Sequence, residues 1–277
     1  MDNFVVAQLI VGLLAFATAT LGSVGGLGGA VILVPGLVLL GWSPIEAAPI
    51  GIAMSGAGAL AAVPRQSLSG ITNHRLGVAM EIPASAAAAA GALLSVLAPE
   101  EALQYALGGA AIVAAIAGGL RRGQRNLPVE GADLATSGDR PGRLASAYPD
   151  QEGRVIPYEI RRLPLGVGLI GGAGLLAGLT GTSGGFIKTP VMSEVMHVPV
   201  KVAAATSMFM VGVTSAVTIG VYTSQGRMTA AIAPAVLGGL LGGRLGGAMQ
   251  PRLPAGQVRV VLSAMVLAIG IILVVRA

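Results

Sequence analysis

Gly22-Ser23-Val24-Gly25-Gly26-Leu27-Gly28-Gly29, followed by Pro35, has a counterpart later in the chain: Thr180-Gly181-Thr182-Ser183-Gly184-Gly185, followed by Pro190. Glycines let a backbone turn sharply and approach a ligand closely. Each cluster opens a short apolar block, residues 26–41 and 184–197, of about 14–16 residues. A helix needs about 20 residues to cross a bilayer, so these two blocks are short. Eight further apolar blocks surround them: 4–22, 45–63, 77–98 and 102–120 in one half, and 163–180, 199–222, 229–249 and 257–275 in the other. Short segments broken by Gly and Pro at matching places in two halves are the sequence mark of a binding site in a membrane carrier.

The two halves repeat each other. At an offset of 155, Gly26, Gly29, Ile32, Pro35, Pro44 and Ala48 fall on Gly181, Gly184, Ile187, Pro190, Pro199 and Ala203. At an offset of 152, Arg75, Ala79, Gly91, Pro99 and Gly118 fall on Arg227, Ala231, Gly243, Pro251 and Gly270. Paired Pro and Arg positions, with a single change of register, point to an internal duplication. The expected fold is an all-α polytopic membrane protein of 8–10 transmembrane helices. It has two pseudo-symmetric halves of about five segments, with short or broken helices at the glycine motifs. The expected divisions are a membrane repeat over 1–120, a hydrophilic linker over 121–162 and a second membrane repeat over 163–277.

Composition supports this. Of 277 residues 54% are hydrophobic, 43 are Gly and only 10% are charged, against about 25% charged in an ordinary soluble domain. Fourteen of the 29 charged residues lie in 121–162. The rest of the chain cannot supply a soluble surface, which excludes a soluble enzyme, a nucleic-acid binder and a disordered protein. The net charge of +5 comes from 15 Arg and two Lys, with eight Arg in the linker. That is a topology signal. It places the linker in the cytoplasm of a plasma-membrane protein, with Arg65 and Arg75 inside and Glu100 and Glu101 outside. The linker has no apolar period and reads as a solvated, mobile stretch. Five crossing blocks per half make the halves inverted, with Arg227 outside and Arg252 and Arg259 inside. One re-entrant block per half makes them parallel. Inversion is the expectation adopted.

A helix that starts after a sharp turn offers unpaired N–H groups and a positive dipole end. Two such starts facing each other make an anion site without a metal. The candidate residues are Ser23, Gly25, Gly26, Gly28, Gly29, Thr182, Ser183, Gly184 and Gly185. The plain alternative is that the glycines only permit close helix crossing. Thr206 and Ser207 are further candidates, and their counterparts by the 155 offset, Gly51 and Ile52, carry no hydroxyl. Lys188 sits inside a short block, where a Lys costs roughly 2.5–3.5 kcal/mol unless it faces a cavity or a partner. It attracts an anion, snorkels, or pairs with Glu194. Arg244 is the second basic candidate, with a structural bond to carbonyls as the alternative. Glu81 and Glu194 are the carboxylates within spans and the candidates for carrying a proton. Trp42 and His197 occupy matching positions and read as interface residues.

With no Cys, disulfides and thiolate metal sites are excluded; with two His, His74 and His197, a His-rich metal site is not expected, nor is a cofactor. No nucleotide loop and no Ser/His/Asp or His-Glu-x-x-His set is present, so neither an ATP-driven pump nor a hydrolase is indicated.

The Gly-Gly-Leu-Gly-Gly…Pro35 motif, its Gly-Thr-Ser-Gly-Gly…Pro190 repeat, the following Thr206-Ser207 and the duplicated halves resemble the sulfite exporter TauE/SafE family, also called the toluene sulfonate uptake permease family. The resemblance covers both halves, about 235 residues, and not the linker. It implies secondary transport, by alternating access, of a small sulfur-containing anion such as sulfite, sulfoacetate, another sulfonate or thiosulfate, with export as the expected direction. The expected partners are that anion and the lipid bilayer, with a proton as coupling ion and a homodimer left open, and no nucleic acid. Where Gly51-Ile52 replaces the hydroxyl pair, the first half departs from a symmetric two-site pattern. An anion channel and a non-transporting assembly factor or membrane enzyme remain the alternatives.

Overall fold

The computed structural model describes residues 2–119, 144, 146–149, 154–250, 264, 267, 268 and 270–275. In chain order the helices are α1 (Asp2–Gly25), α2 (Ala30–Leu39), α3 (Pro44–Leu68), α4 (His74–Leu94) and α5 (Glu100–Gly119). A hairpin of β1 (Ser146–Pro149) and β2 (Val155–Tyr158) follows. The second half holds α6 (Leu163–Thr180), α7 (Gly185–Pro190, continued by the π turn Val191–Val195), α8 (Val200–Ser224) and α9 (Ile232–Met249). Among the described residues six helices, α1, α3, α4, α6, α8 and α9, are long and apolar enough to span a membrane. The fold is an all-α polytopic membrane protein. The tenth apolar block lies largely outside the described residues, as do Arg121, Arg122, Arg125, Arg252 and Arg259.

Local chemistry sets the breaks. Ser43 and Glu46 form a reciprocal capping box at the start of α3, with Pro44 in the first turn. Asn73 caps α4 by accepting from the Leu76 amide at 3.0 Å. The short helices follow glycines in left-handed conformation, Gly29 before α2 and Gly184 before α7. Ten residues of α2 rise about 15 Å, half of a hydrocarbon core of about 30 Å.

Helix directions follow from close contacts at small residues. A Cβ on Gly174 or Gly178 of α6 would strike the carbonyl oxygen of Ala84 or Ala88, so α4 and α6 run parallel. Gly239 meets Met54 and Gly243 meets Gly58, so α9 runs parallel to α3. Gly238 meets Gly12 and Gly246 meets Thr20, which aligns α1 with α9. Gly56 lies against Ser215 and Gly212 against Ala59, so α8 opposes α3. Asn73 meets Thr206 while Gln225 meets Ala92, which runs α4 along α8. Thus α1 and α3 point one way with α4 opposite, and α6 and α8 point the other way with α9 opposite. Matching helices of the two halves are antiparallel, so the repeats are inverted. Because α1 and α3 share a direction, α2 must bring the chain back between them. It starts beside Ser55, near the middle of α3. Each half therefore makes its return crossing through the short helix, and the halves are inverted.

The two ends differ in charge. Arg65, Arg75, Arg161, Arg162 and Lys201 lie at the end that carries the hairpin. Glu46, Glu100, Glu101 and Arg227 lie at the other. Arg227 binds that second end together: it donates to Ser95 Oγ at 2.8 Å and to the Ile45 carbonyl at 2.6 Å, over the ring of Tyr222.

One sequence expectation is corrected here. The stretch 121–162 is not solvated throughout. Tyr148 and Tyr158 are buried with Leu76, Met80, Met192 and Met196, and Leu144, Ile156 and Ile160 pack against them. The alternation was hidden by its short length and by Pro149 and Pro157. Asn73 Nδ2 donates to the Leu144 carbonyl and to Tyr158 Oη, both at 2.9 Å. Burial pushes the Tyr158 phenol up to about 12, so it stays neutral in this contact.

Two outcomes test this fold. In this cysteine-free chain, Ser69→Cys and Thr229→Cys occupy exposed positions at opposite ends. A membrane-impermeant thiol reagent should reach them from opposite faces, and labelling of both from one face refutes inversion. Asn73→Ala removes a helix cap together with the hairpin tie. It should cost roughly 2 kcal/mol and raise amide exchange over 146–158 before any other segment; unchanged exchange there refutes the tie.

Candidate functional site

The two glycine turns meet at the centre of the fold. The first turn has positive φ at Gly26, Gly28 and Gly29 (68°, 84° and 72°). The second has positive φ at Gly181, Ser183 and Gly184 (72°, 64° and 69°). These are the same three positions at the offset of 155, so the duplication extends to backbone conformation. The middle position differs: Gly28 in one half is Ser183 in the other. A left-handed non-glycine residue costs roughly 1–2 kcal/mol, and such strain collects at functional positions.

Each turn is wrapped by the opposite half. Gly26 packs on the backbone of Ala204 in α8, and Gly181 on that of Ala48 in α3. Gly28 faces Ser183 Oγ, and the Leu27 carbonyl lies against Gly185. Thr189 Oγ1 donates to the Gly26 carbonyl at 2.8 Å. Ser55 Oγ accepts from the Ala30 amide at 3.2 Å and donates to the Gly28 carbonyl. In the second half Ser207 Oγ donates to the Gly185 carbonyl at 3.3 Å. Ser55 is therefore the working counterpart of Ser207, related by the 152 offset rather than by the 155 offset that pointed to Gly51 and Ile52. Sequence reading missed Ser55 because the register change falls between Ala48 and this serine.

From this centre α2 runs toward one end and α7 toward the other, so their N-terminal, partially positive ends converge. Ser183 Oγ is fully buried there and has no hydrogen-bond partner. Ser215 Oγ, one turn beyond Val211 on α8, is likewise buried and unpartnered. An unpaired buried hydroxyl costs about 1–3 kcal/mol, and Ser183 and Ser215, the latter packed against Gly56, each carry one.

Of the other candidates, Gly25 ends α1 and leads into the first turn. Ser23 is buried against Gly246 of α9, not against the second turn. Thr182 bonds Thr180 at 2.8 Å. Thr206 Oγ1 accepts from the Asn73 amide at 3.0 Å and so serves the start of α4. Arg244 is exposed on the outer face of α9, opposite the glycines packed on α1 and α3, and is not brought to the centre. Lys188 is buried, but its partner is neither an interface nor Glu194. Its Nζ donates to Glu81 Oε2 at 2.9 Å and to Thr214 Oγ1. Spacing within one block could not reveal a partner 107 positions away.

Inverted repeats broken by short helices that meet at the centre of the fold are an arrangement common among membrane transporters. The chain belongs to the sulfite exporter TauE/SafE family, a transporter family whose model matches residues 11–273, nearly its whole length. No curated protein and no solved structure matches it.

The strained serine provides a direct test. Ser183→Gly copies Gly28, relieving strain while deleting the free hydroxyl. It should raise stability by roughly 1 kcal/mol and weaken anion binding by about tenfold to a hundredfold. Thermal denaturation and ligand titration of the same preparation check both. A variant that binds sulfite and sulfonate as the parent does puts the site elsewhere. Gly26→Val is a poorer probe, since a Cβ there would lie 2.6 Å from the Ala204 Cα, so it reports packing.

Proposed function

We propose that the protein carries a small sulfur oxyanion, sulfite or an organosulfonate, out of the cell across the plasma membrane, by alternating access around the two glycine turns. The observation that carries this reading is Ser183: buried, left-handed and unpartnered where the two inverted turns meet. A sulfite or sulfonate presents three oxygens and needs several donors at once. Helix-start amides, Ser183 and Ser215 are donors of moderate strength, able to hold a monoanion and release it.

The basic residues at the hairpin end support a cytoplasmic placement of that end and of the linker. The direction is outward, as in the sulfite exporters that give the family its name. An anion formed inside supplies its own gradient. Neither turn is a continuous pore lining: each is closed over by the other half's long helix, which favours a carrier over a channel.

Reconstituted protein should move sulfite or a sulfonate with a saturable rate and no single-channel current. Ser183→Gly should lower that rate at low substrate concentration. Flux that rises without saturation, with measurable conductance, refutes the carrier; no flux of any sulfur anion refutes transport of this class.

A further inference from the structure

The centre holds one buried ion pair that the donors described above do not use. Glu81 on α4 accepts from Lys188 Nζ at 2.9 Å, from Ser85 Oγ at 2.6 Å and from Thr214 Oγ1. Lys188 gives a second N–H to Thr214, which leaves one of the three ammonium protons unassigned. The pair is one turn from the anion site. The Lys188 amide donates to the Gly184 carbonyl at 3.0 Å. Thr214 follows Val211 by one helical turn, and a Cβ on Gly28 would lie 3.3 Å from Val211 Cγ1. Among the described residues no other charge faces Glu81. From α8 it meets Thr214, from α7 Lys188, and α6 carries no ionisable side chain. His74 and Arg75 lie nearly two turns away along α4, Lys201 and Tyr222 lie toward opposite ends of α8, and Glu194 lies at the far end of the short helix.

Such a pair is costly to build in a membrane interior, and structure alone does not require it: replacing a buried pair with apolar side chains of similar volume is often neutral. Its use lies in being divisible. We infer that Glu81 is the proton-binding site of this transporter, and that its protonation releases Lys188 to act as counter-charge for the anion. This rests on the anion site proposed above. With Glu81 ionised, Lys188 is neutralised and the site holds only hydroxyl and amide donors. When Glu81 takes a proton from water, its carboxyl no longer competes for the ammonium, which turns to the anion by its free N–H. Empty, the centre carries Glu⁻ and Lys⁺. Loaded, it carries neutral Glu, Lys⁺ and a monoanion. Both states have zero net charge, so the conformational step moves none, and proton and anion travel together. The anion's own gradient together with that of the proton then sets direction.

Ethanesulfonate is the right probe, because a sulfonate stays ionised throughout the accessible pH range while sulfite does not. For the parent protein, affinity should rise as pH falls, by up to about tenfold per unit, and binding in weak buffer should take up a proton. Glu81→Gln, a mimic of the protonated carboxyl, should bind at every pH as the parent does in acid, with no proton uptake. Lys188→Met should bind weakly at all pH. Glu81→Leu with Lys188→Met preserves volume and serves where the single variants fail to fold; it should bind weakly and without pH dependence. Parent binding without proton uptake, or a pH slope that survives in Glu81→Gln or in the double variant, overturns the switch. If the parent binds ethanesulfonate, Ser183→Gly weakens it and no pH dependence is seen, the switch alone is wrong. If Ser183→Gly has no effect, the anion site is misplaced.

Discussion

A helix can be broken inside a membrane only where protein, not lipid, surrounds the freed backbone. Everything at the centre of this fold answers to that constraint. The turns at 25–29 and 181–184 expose carbonyls and amides at mid-depth, and each is sealed by the long helix of the opposite half. Ala204 covers Gly26 and Ala48 covers Gly181. Ser55, Ser207 and Thr189 close the carbonyls of Gly28, Gly185 and Gly26. Neither half can do this alone, since its covering residues lie on the other. The same contact that satisfies the backbone makes the halves interdependent and brings the two turns together.

The abundance of glycine and alanine follows from the same demand. Helices must approach until backbones touch for a turn to be buried between them, and α6 reaches α4, and α9 reaches α1 and α3, through Gly faces. Without a hydrophobic driving force between helices in lipid, such close packing supplies the association energy. It also explains why the outward faces are bulky: Leu237, Leu241 and Leu245 are exposed on α9 while Gly238, Gly242 and Gly246 face inward.

Much of the scaffold was legible in the sequence because it rests on local signals. Block length separated the long spans from the two short helices, and paired Gly and Pro marked the turns. Inversion was only an expectation from counting; the antiparallel match of α3 with α8 establishes it. The site was legible in part. Gly28 meets Ser183 and Leu27 meets Gly185, because backbone motifs place themselves. Ser55, Thr189 and Ser215 carried no local mark, and the pairing of Lys188 with Glu81 is a long-range contact that no spacing encodes. Arg244 misled because a lone Arg in a glycine-rich run looks inward by composition, whereas the glycines themselves claim the inner face. The hairpin was missed because four-residue strands are too short for an alternation to register above a charged background.

What remains is why a duplicated fold departs from symmetry just where it does. Gly28 corresponds to Ser183, and Leu33 to Lys188, at a single offset. The turns share the same left-handed positions in both halves, so turn geometry alone does not account for the difference. Glycine satisfies the left-handed middle position of the first turn without strain; serine does so in the second only at a cost, with its hydroxyl left unpaired. Two serines there would double the strain and two lysines would set like charges near one centre. On the reading proposed above, hydroxyls and an ammonium carried by the second half alone would give one site rather than two. In that reading the first half supplies Glu81 and the α2 amides, and the second supplies the hydroxyls and Lys188. Under the proposed mechanism, inverted repeats would provide two related shapes for alternating access, while the asymmetry would provide one place for one anion.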